Sequence, residues 1–389
     1  LMGGRPPPPA GFPAMDWTAF RSHFPVADRW AFLDHAAVAP LSAPAAAALT
    51  EYAARVAEHG IADIHFWVDR VAHVRRLAAT LVNAPSPDDV CFVANTTAGI
   101  AIVAEGFPWR PGDNVVIAAE EYPANQYPWL NLSGRGVEVR RVPSRGNRVD
   151  VDDVRAAMDG RTRVLSASFV QFASGFRADL DALGELCRGR GVFFFVDAIQ
   201  GLGVFPLDVQ RTPIDALAAD GHKWLLGPEG AGIAYVRREW VERLHPIGVG
   251  AFSVSSPLAF GAIDFALKPH AGRWEGGSLN VPGITALGAS LELLLGVGVG
   301  NVSRRVLALT DELCVRAAAA GLDVFSSRRP GDASGIVSLA KPGASAKDLM
   351  KRCRAAGVVV NVRADRVRVS PHAYNTPAEI DRLFDAVPS

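Results

Sequence analysis

Short apolar runs alternate with longer segments of helical character through the middle of the chain. The runs lie at residues 90–94, 114–118, 137–142, 163–168, 192–197, 216–220 and 232–236. Apolar runs of this length, bounded by turn residues, predict buried strands. Intervening segments such as 182–190 are long enough to form crossover helices. Because strands that alternate with helices are typical of a parallel sheet covered on both faces, the pattern predicts an α/β fold with a mostly parallel, seven-stranded sheet sandwiched by helices.

The two ends of the chain carry different patterns. A short helix from Trp17, an extended segment at 30–34 and two Ala-rich helices within 44–82 precede the sheet. Beyond residue 283 the pattern predicts helices at 284–295, 302–320, 346–356 and 376–387, and strands at 323–326, 336–339, 358–362 and 366–370. Thr376 is the predicted N-cap of the last helix and Pro377 its first residue. This mixture indicates a smaller C-terminal α+β domain.

The chain has 389 residues, which exceeds what one small hydrophobic core accommodates. We expect a large domain over 31–282 and a small domain over 283–389. Residues 15–30 are expected to form a segment that packs on the small domain. Residues 1–14 are rich in proline and glycine and lack the apolar core of a secretion signal, so they predict a disordered arm.

Composition and charge exclude several classes of protein. Lysine plus arginine and aspartate plus glutamate both number 40, which leaves no basic excess for a nucleic-acid partner. No stretch reaches the length of a membrane span, so no membrane partner is expected. The four cysteines are widely spaced and form no CxxC pair, which argues against a disulfide framework or a zinc site and predicts a cytoplasmic, reducing environment.

The clearest chemical signal is a lysine and an aspartate at the ends of neighbouring predicted strands. Lys223 lies between an apolar run and a glycine-rich turn in the segment Ala-Asp-Gly-His-Lys-Trp-Leu-Leu-Gly-Pro-Glu-Gly. Asp197 ends the very apolar run Phe-Phe-Phe-Val-Asp. Desolvation disfavours the ammonium form of a lysine and so frees the amine to attack a carbonyl. A buried amine together with a buried acid is what pyridoxal 5′-phosphate (PLP) requires, since the acid can pair with the protonated ring nitrogen. Taken singly, either residue fits an ordinary core strand or surface turn.

A second signal is Asn-Thr-Thr-Ala-Gly at residues 95–99, which follows a predicted strand and opens a helix. Free N–H groups and the positive end of the helix dipole bind phosphate, and the hydroxyls of Thr96 and Thr97 add donors. An ordinary helix cap is the competing interpretation. The lysine and aspartate motifs favour the phosphate seat.

Other functional classes find little support. Gly-Val-Gly-Val-Gly at 296–300 follows a helix, whereas a dinucleotide fingerprint follows a strand, so it predicts a connector between helices. Gly201 and Gly203 follow a strand, but Pro206 stands where the third glycine belongs. A non-catalytic or NAD-type binding protein is therefore disfavoured. The nine histidines show no ligand spacing and no metal is predicted.

These separated motifs resemble PLP enzymes of fold type I, specifically the aminotransferase class V family of cysteine desulfurases, selenocysteine lyases, kynureninases and isopenicillin N epimerase-like proteins. The resemblance covers residues 30–385. It implies that Lys223 is the Schiff-base lysine, preceded by His222, and that Asp197 faces the pyridinium nitrogen. It also implies that Gln200 faces the phenolic oxygen of the ring. Arg368 resembles the arginine that binds the substrate carboxylate.

The resemblance assigns the remaining residues as well. Thr96 and Thr97 match the family's phosphate-binding pair, and Gln171 matches a polar residue beside the ring. Ser278 resembles a hydroxyl donor that reaches the phosphate across a dimer interface, which implies a homodimer. Tyr122 stands where the family commonly has a ring-stacking histidine, so it is a candidate catalytic as well as cofactor-binding residue. His35 flanks the predicted substrate side.

Departures from the family pattern narrow the predicted reaction. Desulfurases carry a nucleophilic cysteine on a loop shortly before the carboxylate arginine, whereas the segment 358–368 is short and has none. Asp220 replaces a serine that is common near the phosphate. We therefore predict a PLP-dependent enzyme that acts on a small amino acid by transamination or by elimination at Cβ, and not a persulfide-forming desulfurase. The alternative is an epimerase or racemase with Tyr122 as the second proton carrier.

Overall fold

The structure, a computed structural model, describes residues 15–259, 261 and 263–387. The predicted arm at 1–14 lies outside the described residues. In chain order the α-helices α1 to α12 are Trp17–Arg21, Ala43–His59, Ile64–Val82, Thr96–Gly106, Tyr127–Leu130, Val151–Ala157, Leu180–Arg190, Arg238–Val241, Val281–Val297, Val299–Ala319, Ala346–Ala355 and Pro377–Asp385. The strands β1 to β13 are Ala31–Phe32, Val90–Val93, Asn114–Ala118, Glu138–Val142, Thr162–Ser168, Phe193–Asp197, Ala216–Asp220, Gly232–Val236, Asp323–Val324, Val337–Ala340, Val358–Val359, Asn361–Arg363 and Arg366–Val369.

The seven runs of the central pattern form one sheet, in the order β2-β8-β7-β6-β5-β3-β4. Neighbours from β7 to β4 are parallel, whereas β8 runs antiparallel to both β2 and β7. Strands β3, β6, β7 and β8 are buried along their whole length, as expected for a sheet that is covered on both faces. The predicted seven-stranded, mostly parallel sheet is confirmed.

A second, smaller sheet forms near the C-terminus. It is antiparallel, with the order β12-β13-β10-β9, and it packs its apolar side chains around α10, α11 and α12. The predicted strand at 358–362 is in fact two strands. The first, β11, pairs in parallel with β1, and the second, β12, forms a hairpin with β13. The predicted α+β unit is confirmed, and the pairing of β1 with β11 ties it to residues far upstream.

The N-terminal segment contacts the C-terminal part of the chain. Phe24 stacks on Tyr374 with ring centroids 4.1 Å apart, and the Arg21 guanidinium lies 3.0 Å from the Glu379 carboxylate. These contacts support the prediction that residues 15–30 pack on the small domain. The boundary near 283 stays a prediction, because α9 packs on α2 and α3.

Helices α9 and α10 meet at Gly298, which has a φ of 83° that favours glycine. The predicted connector between helices is therefore confirmed for Gly298 alone, because Gly296 lies within α9 and Gly300 within α10. Within the described ranges no single helix is both long and apolar enough to span a membrane, although α9 and α10 meet those two criteria when they are taken together across their 81° bend.

Candidate active site

The site forms where several strands of the large sheet end. The chain leaves β2 into Asn95 and α4, β6 ends at Asp197, and β7 ends at Asp220, three residues before Lys223. Because β6 and β7 are parallel neighbours, Asp197 and the segment that carries Lys223 emerge at the same edge. Ligands of open α/β sheets bind at this carboxyl edge.

A cavity of about 290 Å³ opens at this edge. Eight of the eleven site residues expected from the sequence line it. They are Thr96, Thr97, Tyr122, Asp197, Gln200, His222, Lys223 and Arg368. The remaining lining residues include Asn95, Phe172, Asp220 and Arg363. Residues that are far apart in sequence thus converge on a space suited to a small molecule.

Asp197 lines this cavity and is almost fully buried. Its carboxylate accepts a hydrogen bond from the Ile199 N–H at 3.2 Å. Burial raises the pKa of Asp197 to about 6, and the positive charge of Lys223 opposes that rise. A buried carboxylate that is costly to ionise is a suitable partner for a positively charged ring nitrogen.

Lys223 faces Tyr122 across the cavity. The Lys223 Nζ lies 5.5 Å from the centroid of the Tyr122 ring, which also meets Phe172 edge to face. The pKa of Lys223 is lowered to about 8, chiefly by burial. Asp197 and Asp220 oppose this shift, whereas Arg368 and Arg363 add to it. About a tenth of the amine is therefore unprotonated at pH 7, far more than for an ordinary lysine, and this fraction is able to attack a carbonyl.

The start of α4 also lines the cavity. The Asn95 side chain caps the helix by accepting the Ala98 N–H at 2.9 Å, and the Thr96 hydroxyl accepts the Asp220 N–H at 3.1 Å. Thr97 is exposed to the cavity. A side chain on Gly99 would collide with the Cβ of Ala218 on β7, so glycine here lets the helix lie close to the sheet. The geometry suits an anion at the helix N-terminus.

Asp220 lies beside the N-terminus of α4, and its carboxylate contacts the two residues that follow it in sequence. One oxygen accepts the Gly221 N–H at 2.7 Å, and the other lies 2.8 Å from Nδ1 of His222. The Nδ1 of His222 makes no hydrogen bond, and Asp220 itself lines the cavity.

Gln200 is held from both ends of its amide. Its Nε2 donates to the Ala36 carbonyl at 3.0 Å, and its Oε1 accepts from Nε1 of Trp224 at 2.8 Å. One N–H of the amide is left for a ligand. The two bonds fix the orientation of the side chain, so that this N–H has a defined direction.

Arg368 is buried with only 1% of its surface exposed. Its guanidinium donates to the Asp34 carboxylate at 3.2 Å and to the Phe172 carbonyl at 3.1 Å, while its buried Nε has no partner in the structure. Burial lowers the pKa of Arg368 and the Asp34 charge opposes this. A rigid, incompletely satisfied guanidinium is able to bind a carboxylate.

Three of the residues expected in the site lie outside the cavity lining. His35 is buried, and its ring nitrogens engage the Ser370 carbonyl and the Tyr374 hydroxyl, each at 2.9 Å. Both ring nitrogens are thus engaged within the protein, and the substrate contact expected for His35 stays a prediction. Ser278 is exposed and does not line the cavity of its own chain.

Gln171 is the third expected site residue outside the cavity lining. It contacts Glu121, a buried acid that we did not predict from the sequence. Its Nε2 donates to Glu121 at 2.9 Å, while its buried Oε1 has no partner in the structure. Glu121 also accepts the Ser168 N–H at 2.9 Å and the Ser168 hydroxyl. Glu121 immediately precedes Tyr122, but an acid next to a second acid in a loop looks like a solvated charge. Only the tertiary structure shows that it is buried.

The two buried acids predict how the stability of the cofactor-free protein depends on pH. Burial raises the pKa of Glu121 to about 7 and that of Asp197 to about 6. A group with a raised pKa in the folded state contributes stability that is fully present below its unfolded pKa and is lost as the pH rises through its folded pKa. We therefore expect the Tm of the cofactor-free protein to fall between about pH 4 and pH 7, measured by scanning calorimetry.

The variant Glu121→Gln separates this effect from the general pH dependence of the protein. It keeps an oxygen for the Ser168 N–H but cannot ionise, so its Tm should fall less steeply over the same range. Equal slopes in the wild type and the variant would show that Glu121 does not titrate there.

The four cysteines are remote from this chemistry. None of them lines the cavity, and Cys91, Cys187 and Cys353 are buried. Burial raises the pKa of all four thiols. A nucleophilic cysteine needs the thiolate form, which these surroundings disfavour. Among the described residues there is also no group of three or more histidine, cysteine or acidic side chains that could hold a metal ion.

Comparisons with known proteins agree with this geometry. A sequence model of the aminotransferase class-V family matches residues 31–383. A probable cysteine desulfurase of Methanothermobacter thermautotrophicus is 29% identical, with 94% of this chain and 96% of the relative covered. The crystal structure of the cysteine desulfurase CsdA from Escherichia coli aligns with a TM-score of 0.85 at 25% identity, over 96% of this chain and 98% of that one. The cystine C–S lyase C-DES shares the fold, with a TM-score of 0.87 at 22% identity over 93% and 98% of the two chains.

Proposed function

The chain belongs to the aminotransferase class V family of PLP-dependent enzymes, and from this premise we propose that it transforms a small amino acid by transamination or by cleavage at Cβ. The observation that carries the proposal is the placement of Lys223, Asp197 and Arg368 around one cavity of about 290 Å³. An amine, a buried acid and a buried guanidinium there supply the attachment, the ring partner and the carboxylate site that such a reaction requires.

The residues that line the cavity fit the cofactor. The helix N-terminus at Thr96 and Thr97 suits its phosphate, the free N–H of Gln200 suits its phenolic oxygen, and Asp197 suits its ring nitrogen. Lys223 suits its aldehyde. When it is bound, PLP withdraws electrons from the Cα of an amino acid and so makes the bonds at that carbon easier to break.

The side chains of this chain would do the remaining work. Arg368 would bind the α-carboxylate of the substrate, since its Nε has no partner and its other nitrogens are held by Asp34 and Phe172. Lys223 would then be free to take the proton from Cα, because burial lowers its pKa to about 8. Tyr122 would close the opposite side of the cavity with its aromatic face.

We propose further that the reaction is not persulfide formation. The relatives reported above include cysteine desulfurases, but no thiol lines the cavity of this chain. Just before Arg368, β12 and β13 form a hairpin with a two-residue turn. In this hairpin Arg363 pairs with Arg366, and Asn361 pairs with Arg368. This tight turn leaves no loop to carry a cysteine into the site.

An amino-acid panel tests both proposals. We expect the purified enzyme with PLP to convert at least one small amino acid to a keto acid, or to cleave a Cβ substituent from it. Products are to be sorted by mass spectrometry and chiral chromatography into keto acid, released substituent and inverted isomer. An inverted isomer alone would overturn the proposal and favour an epimerase.

The control for the sulfur chemistry is a variant in which all four cysteines are replaced by alanine or serine. We expect its turnover to stay within about 3-fold of the wild type, since none of these thiols touches the cavity. A protein persulfide formed by the wild type with L-cysteine, and lost together with turnover in this variant, would show that the chain is a desulfurase. The comparison requires a variant that is soluble and binds PLP. If the fourfold variant does not fold, the four single replacements, such as Cys353→Ser, are tested one by one instead.

We also propose that the enzyme is a homodimer that completes its phosphate site across the interface. Ser278 is exposed and is not among the residues that line the cavity of its own chain. A hydroxyl in that position is available to a second copy of the chain.

A further inference from the structure

Two arginines face the same cavity, and only one of them has a role in the proposed function. Arg363 and Arg368 both line the cavity. They lie on neighbouring strands of the β12–β13 hairpin, in which Arg363 pairs with Arg366 and Asn361 pairs with Arg368. Because side chains alternate along a strand, these four residues share one face of the hairpin. On β13, Val367 and Val369 turn to the core.

The hairpin turn holds Arg363 in this register. Ala364 and Asp365 both adopt left-handed conformations, with φ of 47° and 57°. Such conformations suit a two-residue hairpin turn but are unfavourable for residues other than glycine, asparagine and aspartate. Unfavourable backbone conformations of this kind persist where the surrounding structure requires them and are frequent at functional sites.

Arg363 forms no ion pair with a carboxylate among the described residues, although its charge opposes the rise that burial causes in the pKa of the nearby Asp34. Within the described residues no acidic side chain lies at ion-pair distance from it, and its Nη1 donates only to the Asn361 side chain and the Val362 carbonyl, both at 2.8 Å. Arg368, in contrast, has Asp34 at 3.2 Å. The positive charge of Arg363 lowers the pKa of both Arg368 and Lys223, so it acts on the same space.

The charges on the substrate side of the cavity are therefore unbalanced. Two guanidinium groups, Arg363 and Arg368, line this side of the cavity, and among the described residues Asp34 is the one carboxylate at ion-pair distance from either of them. Asp197 and Asp220 instead oppose the burial-driven fall in the pKa of Lys223. One α-carboxylate would occupy Arg368 and leave the Arg363 guanidinium unpaired. Guanidinium groups form their strongest contacts with carboxylates and similar anions.

We propose that the substrate is an amino acid with a second anionic group on its side chain, which Arg363 binds while Arg368 binds the α-carboxylate. This rests on the proposed function, since it takes Arg368 as the α-carboxylate site. Arg363 is then the residue that determines substrate specificity.

Binding of unreactive acids to the PLP-loaded enzyme tests this inference without any need for turnover. Succinate and butyrate have the same number of carbon atoms and differ in one carboxylate. By isothermal titration calorimetry we expect succinate to bind about 10- to 100-fold more tightly than butyrate, which is the range of a charged hydrogen-bonded contact. The variant Arg363→Gln should abolish this preference and change butyrate affinity by less than about 3-fold.

The matched control is Arg366→Gln. Arg366 lies on the same hairpin face and carries the same charge, but it stacks on Phe325 at 3.1 Å and does not line the cavity. This variant should keep the preference for succinate. If Arg366→Gln lowers succinate binding as much as Arg363→Gln does, or if the wild type binds both acids equally, the inference is wrong.

Turnover of L-aspartate and L-asparagine by the same proteins keeps the two proposals separate. A preference for L-aspartate that is lost in Arg363→Gln supports both. Turnover of amino acids without any preference for the diacid overturns the inference and leaves the proposed function intact. A succinate preference that depends on Arg363, with no amino acid turned over, supports the diacid site and contradicts the proposed function.

Discussion

Replacement of Lys223 by alanine is expected to abolish both covalent cofactor attachment and turnover. The Lys223 Nζ is the amine that lines the cavity beside Asp197, and burial lowers its pKa to about 8. Lys223→Ala removes the group that holds the cofactor aldehyde and the group that moves the Cα proton. Since proton transfer alone contributes about 10²- to 10⁴-fold, we expect kcat to fall by at least about 10³-fold. Borohydride reduction followed by mass spectrometry should attach PLP to the wild type and not to the variant.

Lys351→Ala is the matched control for this experiment. Lys351 is exposed on α11, where it lies 3.3 Å from Asp348, and it does not line the cavity. Its removal should leave borohydride labelling and kcat unchanged. Labelling that persists in Lys223→Ala at full stoichiometry would place the covalent bond on another lysine and overturn the assignment of the site.

Replacement of Asp197 by asparagine is expected to leave the cofactor attached but to slow the reaction. Asparagine has nearly the same shape, and its amide keeps an oxygen for the Ile199 N–H. It cannot hold a positive charge on the ring nitrogen, so the bound cofactor withdraws electrons less strongly. The loss of one preorganised electrostatic contact in a buried site corresponds to about 10²- to 10³-fold in kcat. Steady-state kinetics with any accepted amino acid, at pH values on both sides of 6, measure the effect.

Asp215→Asn is the matched control for Asp197→Asn. Asp215 is also a largely buried acid next to the central sheet, and it accepts the Phe194 N–H at 2.9 Å, but it is not part of the cavity lining. Burial raises the pKa of Asp215 too. A kcat that falls equally in both variants would indicate general damage to the sheet. A kcat that is unchanged in Asp197→Asn would contradict the role of Asp197 as the ring partner.

Strands and local motifs were predicted well because their signals are local. Residues 114–118, 216–220 and 232–236 were predicted as strands and form β3, β7 and β8 with the same bounds. The polar residues that follow buried strands, such as Asp197, could be placed at one sheet edge because parallel strands share their carboxyl ends. Local periodicity did not predict the division of 358–362 into β11 and β12, because their partner strands, β1 and β13, lie on opposite sides of that segment in sequence.

Several features of the site could not be predicted, because they depend on contacts between distant residues. Asp34 and Arg368 meet across 334 positions of the sequence. His35 looked available to substrate, yet Ser370 and Tyr374 occupy its ring nitrogens. Glu121 looked solvated, yet it is buried against Ser168 and Gln171.

By itself the sequence determined the family, the central sheet and the kinds of side chain in the site. These features could be predicted because their signals, such as hydrophobic periodicity and short motifs, lie within consecutive residues. The tertiary structure decided which of those side chains share one cavity and what charge each carries there. Burial and pairing set the pKa of Lys223, Asp197 and Glu121, and both depend on atoms that other parts of the chain supply. The unpaired charge of Arg363 beside the paired Arg368 became visible only when β12 and β13 had been folded together over the cavity.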